Sequence, residues 1–166
     1  LAGSSAASDV YKRQMHALQN LGAQLVDLSA AQLAKLNIDN EALIEAVQLA
    51  QRISHRSGRR RQMQFIGKLM RSADAEHIAD ALDAFHETSR KAKAQERVIE
   101  GARDALLSRG DEALPEVLAI WPHGDRQLIR QLTRSAHEER QRDQAPTSSR
   151  KLFRYLRLLS ETSAED

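Results

Sequence analysis

The sequence predicts an all-α, multi-helix fold. Three observations carry that expectation. Leu, Ala and Ile abound while the chain has one Trp, two Tyr and three Phe. Apolar residues recur at three- and four-residue steps, the spacing of one helix face, instead of alternating as in a strand. With seven Gly and three Pro, long stretches have no helix breaker. At 166 residues and 41% hydrophobic side chains, the chain can fill one modest core or the cores of two small lobes.

Residues 1–14 (LAGSSAASDVYKRQ) are set aside as a non-native or disordered tail. The segment looks like the translated adaptor tail that recurs at the ends of assembled environmental sequences, and its Ala/Ser/Gly composition offers no packing face. Residues 15–21 then read as the end of a helix whose beginning is missing, so an N-terminally truncated fragment is expected. After a stretched connector over 25–28, Ser29 and Gln32 form a capping-box pair that opens a short helix to about Leu36. Asp39 is expected to cap the next helix, with Leu43, Val47, Ala50 and Ile53 on one face and an end near Arg56. Gly58 reads as a break before a helix whose apolar face is Met63, Ile66, Leu69 and Met70. Asp74 caps another, with Ile78, Ala81, Leu82 and Phe85 inward. Propensity leaves open whether it stops near Thr88 or runs to Arg109, because neither Gly nor Pro interrupts 74–100. Gly110 ends it in either case.

The last third is punctuated more clearly. Asp111 opens a short helix through Val117, Leu118 and Ile120, in which Pro115 has to sit near the first turn. Residues 121–124 (WPHG) form a turn, and Asp125 caps a helix with Leu128, Ile129, Leu132 and Ala136 inward. That helix dissolves into the polar segment 138–145. Pro146 starts a final helix with Leu152, Phe153, Leu156 and Leu159 on one face, before a disordered end at 162–166. Two lobes (15–72 and 111–161) linked by 74–109 fit this pattern, and a single bundle fits it nearly as well.

Charge along these helices is segregated. Between Gln48 and Ala73 lie Arg52, Arg56, Arg59, Arg60, Arg61, Lys68 and Arg71 without one Asp or Glu, although the whole chain carries a formal charge of only +2. Arg126, Arg130 and Arg134, spaced by four, form a second row; Arg150, Arg154 and Arg157, with Lys151 nearby, form a third, and no acid interrupts 144–160. The helix region 74–111 mixes both signs, as an ordinary solvated face does. Guanidinium groups present a planar fork of donors suited to phosphate, and Gln62 and Gln64 add neutral hydrogen-bonding groups beside the first row. Taken singly, each row has a bland reading as a solvated or salt-bridged face. Three together point to nucleic acid, and to structured RNA read through backbone and shape rather than through stacking. Tyr155, between Arg154 and Leu156, is the one stacking candidate. Arg56 and Arg126 are the cations expected to serve structure.

Other classes find less support. Without Cys there are no disulfides, thiolate zinc sites or Cys nucleophiles. His16, His55, His77, His86, His123 and His137 have no metal-ligand spacing, and no GxGxxG, GxxxxGK[ST] or GxSxG occurs. His123 and Asp125 flank Gly124, but capping accounts for Asp125 more simply than acid–base chemistry. No apolar run approaches the roughly 18 residues of a membrane span. The expectation is a soluble, cytoplasmic, non-enzymatic protein with no cofactor, no membrane partner and no small-molecule substrate.

Four ordered motifs, LGAQLVDL at 21–28, RRRQMQFIGKLMR at 59–71, VLAIWP at 117–122 followed by DRQ, and SRKLFRYLR at 149–157, resemble the YjgA family, also called DarP, the dual-action ribosomal maturation proteins. The resemblance covers essentially 15–161. It implies a bacterial cytoplasmic protein that associates with immature large (50S) ribosomal subunits and helps their late maturation around the peptidyl transferase centre. It also implies an elongated all-helical dumbbell, which favours two small lobes joined by helices. Family members carry an acidic N-terminal extension that this sequence lacks. On this reading Arg59, Arg60, Arg61, Gln62, Gln64, Lys68 and Arg71 contact large-subunit rRNA, and Arg126, Arg130, Arg134, Arg150, Lys151, Arg154, Tyr155 and Arg157 form a second contact surface. The alternative is a helical adaptor for an acidic protein or a ribosomal protein.

Overall fold

A computed structural model describes residues 3–162 of the chain. Among these residues the regular structure is helical, as expected: α1 (Gly3–Asp27), α2 (Ala30–Lys35), α3 (Glu41–Arg52), α4 (Arg56–Ser72), α5 (Ala75–Arg109), a 3-10 turn (Gly110–Ala113), α6 (Leu114–Ile120), α7 (Arg126–Gln141) and α8 (Thr147–Thr162). The chain divides into two compact units, one ending at Thr88 and the other beginning at Ser89. Residues 3–14, expected as a tail, are instead the first turns of α1. Their side chains are exposed from residue 5 onward, in keeping with the absence of a packing face. Leu1, Ala2 and residues 163–166 lie outside the described residues, while Thr162 ends α8.

In the first unit α1, α3 and α4 pack on one another around Leu25, Leu43, Val47, Ile66 and Met70, with Leu33 from α2 and Ile78 and Leu82 from α5. The expected connector at 25–28 is mostly helix: α1 runs to Asp27 and buries Leu25 and Val26. Gln51 holds this helix end, its Nε2 donating to Leu28 O just beyond the helix at 2.6 Å and to Val26 O at 3.4 Å. The capping box at Ser29 and Gln32 forms in both directions. One residue separates expectation from structure at α3, where Asn40, not Asp39, accepts from Leu43 N at 3.1 Å. Gly58 is not a break. The chain leaves helix at Ile53, which is extended (φ −78°, ψ 117°), and α4 is under way by Arg56. A glycine does matter where α1 meets α4: a Cβ on Gly22 would lie 2.9 Å from Ile66 Cγ2, closer than the packing allows.

Within the region 74–109, Ala75–Arg109 proves to be one 35-residue helix. It is no bare linker, because Ile78 and Leu82 belong to the first core and Ile99, Ala102 and Leu106 to the second. Gly110, at φ +61°, turns the chain out of α5, and Pro115 occupies the first turn of α6, where its missing N–H costs nothing. Trp121, expected in a turn, is also a core residue at 3% exposure. Its turn is pinned to α8: His123 Nε2 lies 3.0 Å from Leu159 O, and a Cβ on Gly124 would meet Leu159 Cδ1 at 3.1 Å. Asp125 caps α7 through Gln127 N and Leu128 N. Helix α7 persists to Gln141, further than its polar end suggests, and packs against α8. Glu139 there accepts from Ser148 N (2.9 Å) and Ser148 Oγ (2.7 Å) at the start of α8. Those bonds, the backbone one foremost, hold its carboxyl below the usual carboxylate range.

Candidate nucleic-acid interface

The sequence of α4 sorts itself onto two faces. Ile66, Gly67 and Met70 are buried, and Met63 and Leu69 pack partly against the same core. Arg61, Gln64, Lys68 and Arg71 follow at three- and four-residue steps on the opposite face, with Arg60 beside them, and all five are exposed. Arg59, also exposed, lies in the first two turns. Gln62 is drawn away from this set, because its Nε2 donates to Ala46 O of α3 at 2.9 Å and so fixes α4 on the core.

Electrostatics makes this face unusual. Helix α4 contains no carboxylate. Among the described residues, no ion pair involves Arg56, Arg59, Arg60, Arg61, Lys68 or Arg71. The N-terminal half of the cluster also works against its own helix. Cations in the first turns face the positive end of the helix dipole, a cost of about 0.3–1 kcal/mol each, and the N-cap residue His55 makes no side-chain capping bond. Packing accounts for the apolar half of α4 and leaves the cationic half unexplained.

The second unit treats its cations differently. Arg130 Nε lies 3.4 Å from Asp111 Oδ2, a distance within ion pairing but without a hydrogen bond, and Arg134 donates to the same oxygen at 3.2 Å. Arg157 donates to Glu96 at 2.7 Å and lays its guanidinium 4.7 Å from the centre of the Phe153 ring, which Arg103 approaches at 5.1 Å. Tyr155 accepts the Asp125 N–H at 2.8 Å, bracing the start of α7. Arg126, Arg150, Lys151 and Arg154 are exposed, and no ion pair involves them among the described residues. The cations of these rows with partners inside the fold are therefore Arg130, Arg134 and Arg157, and no ion pair among the described residues involves Arg56 or Arg126. Arg109, paired with Glu116, joins them at the end of α5.

One residue of the α4 face escaped the sequence reading. Phe65 is 48% exposed, one residue away from the buried Ile66, four after Arg61 and three before Lys68. The signal was present: on a helical projection Phe65 falls about 100° from Ile66, off the apolar stripe.

Comparison with known proteins agrees with the motifs on these helices. The family described as "Dual-action ribosomal maturation protein DarP" matches residues 8–157. A relative of that description from Pectobacterium carotovorum subsp. carotovorum (strain PC1) is 45% identical over 152 residues, covering 92% of this chain and 82% of the relative. Another from Edwardsiella ictaluri (strain 93-146) is 47% identical over the same shares, and one from Cronobacter sakazakii (strain ATCC BAA-894) is 45% identical over 151 residues, 91% of this chain and 81% of the relative. Long matches of this kind run through the basic helix α4, the Trp121 turn and α8 alike, and on them the chain belongs to the DarP family of dual-action ribosomal maturation proteins.

Proposed function

We propose that the chain binds rRNA of immature 50S subunits through the exposed face of α4 and assists their late maturation. The observation that carries this reading is the set of α4 cations without a counter-ion among the described residues, on a helix whose buried face is explained by packing. A polyanion supplies what the fold withholds: phosphates pair with Arg60, Arg61, Lys68 and Arg71, and the side-chain forks fix register on a structured RNA. Arg126, Arg150, Lys151 and Arg154 offer the second unit's contribution. Tyr155, Arg130, Arg134 and Arg157 reach RNA only with what their structural contacts leave free. The peptidyl transferase centre as the region of action rests on the family resemblance, and a cytoplasmic location follows from a ribosomal partner. Among the described residues no helix is long and apolar enough to cross a membrane, and no cluster of His, Cys, Asp or Glu could hold a metal ion. The action proposed is binding without chemistry.

Co-sedimentation with precursor large subunits tests the reading. Bound protein is expected to be released by RNase digestion and by modest increases in salt, because each phosphate contact contributes about 0.7–0.9 to the slope of log affinity against log salt. Association that survives RNase and is indifferent to salt would instead establish a protein-binding adaptor.

A further inference from the structure

We propose that Phe65 is a stacking platform for an unpaired base, so that the α4 face reads an RNA segment with at least one base out of its helix. This rests on the rRNA reading above and adds the class of RNA element recognised. A lone exposed apolar residue ordinarily needs no explanation; the surroundings of this one set it apart. Among the described residues the exposed large hydrophobic side chains include two aromatic rings, Tyr11 and Phe65. Tyr11 has Asp9 within its own helical turn, whereas Phe65 sits on a helix without a single carboxylate. Arg61 precedes it by one helical turn and Lys68 follows by slightly less, which places both neighbours' Cβ atoms about 5–6 Å from its own. A base laid on the ring therefore has its flanking phosphates within reach of two cations that no carboxylate of the described chain neutralises.

The ring is also free to receive it. Phe153, in the second unit, is covered by the guanidinium groups of Arg103 and Arg157, and Phe85 meets the ring of His86. No such ring or cation contact is made by Phe65 among the described residues. Charge complementarity selects the occupant, because a cationic rim around an aromatic face suits the π-face and phosphate of a nucleotide. An aliphatic protein surface would use the ring but leave the rim unmatched.

The test is binding of the full chain to two labelled probes by fluorescence anisotropy near physiological salt: an oligoadenylate of about twelve nucleotides, and a fully paired RNA duplex of about twelve base pairs. Phe65→Ala is expected to weaken the single strand by about 5- to 150-fold, to change duplex affinity by less than about twofold, and to leave the salt slope of both unchanged. Phe65→Trp restores single-strand binding, and Phe65→Leu, which keeps the apolar bulk, does not. Equal losses on both probes, no loss on either, or rescue by Leu as full as by Trp would overturn the stacking role while leaving α4 as an RNA-binding face. A wild-type chain that binds neither probe would overturn this inference together with the reading beneath it.

Discussion

Helix α4 and the α7–α8 pair both display rows of arginine, and only the pair answers part of its rows with carboxylates inside the fold. On α4 the cations have no carboxylate in ion-pair contact among the described residues, and an aromatic ring stands open among them. On α7 and α8, Arg130 and Arg134 converge on Asp111, while Arg157 is shared between Glu96 and the Phe153 ring. Spacing alone does not distinguish a ligand-facing row from a structural one; the position of the counter-ion does. A cation whose charge is answered inside the fold can contribute to stability, whereas one left unanswered is available for association.

That contrast has consequences that can be ordered by size. The largest concerns binding. Arg60→Glu with Arg61→Glu should weaken association with precursor large subunits by at least on the order of a hundredfold, from two charged contacts of roughly 1.5–3 kcal/mol each, and leave folding untouched. Arg130→Glu with Arg134→Glu should lower the urea midpoint of the second unit and cost much less in binding. Equal binding losses in the two double variants would erase the distinction. Next comes Gly22→Ala, which forces a methyl group against Ile66 where α1 crosses α4 and should destabilise the first unit by about 1–3 kcal/mol. Circular dichroism would follow it, with the Trp121 fluorescence of the second unit as the internal control. Smaller is Asp111→Asn. Its pairs are part-exposed, with side-chain accessibilities of 39% and 66% on the arginine side, so the cost should stay below about 1 kcal/mol. The variant should at the same time raise the second unit's affinity for polyanions by releasing Arg130 and Arg134.

The smallest effect is in acid. Because the bonds from Ser148 depress the Glu139 carboxyl, the folded state binds that proton less readily than the unfolded chain. The associated stability is complete above the usual carboxylate range and is lost as pH falls through the folded value. Glu139→Gln should flatten that part of the acid-unfolding curve, as followed by Trp121, and leave α4 unaffected. A curve of unchanged shape would show that the Glu139–Ser148 contact contributes nothing to the coupling of α7 and α8.

What could be read from sequence was what local chemistry decides. The capping box at Ser29 and Gln32, the Asp74 and Asp125 caps, Pro115 in a first turn and Gly110 after a helix all depend on residues within four positions of one another. Gly58 misled because glycine near a helix start costs little, and the true break lies at Ile53, where the backbone becomes extended. The continuity of α5 was undecidable, since its two apolar stretches belong to different cores. Side-chain duty was the least legible. Asp111 lies 19 and 23 residues from its arginines and Glu96 lies 61 from Arg157, so only the folded chain shows which cations are already answered. Phe65 was open to a helical projection, which leaves it off the stripe of Met63, Ile66, Leu69 and Met70, but its exposure shows only in the folded chain.

A photo-crosslinking residue placed at Gln64, in the middle of the α4 face, and separately at Gln131 on α7, shows which helix faces rRNA. Both side chains are exposed, so neither replacement disturbs packing. With precursor large subunits, the Gln64 probe should give abundant adducts to large-subunit rRNA that map to a confined set of nucleotides, and the Gln131 probe should give few. Adducts from Gln64 confined to ribosomal proteins, or rRNA adducts from Gln131 equal to those from Gln64, would contradict α4 as the rRNA-facing helix.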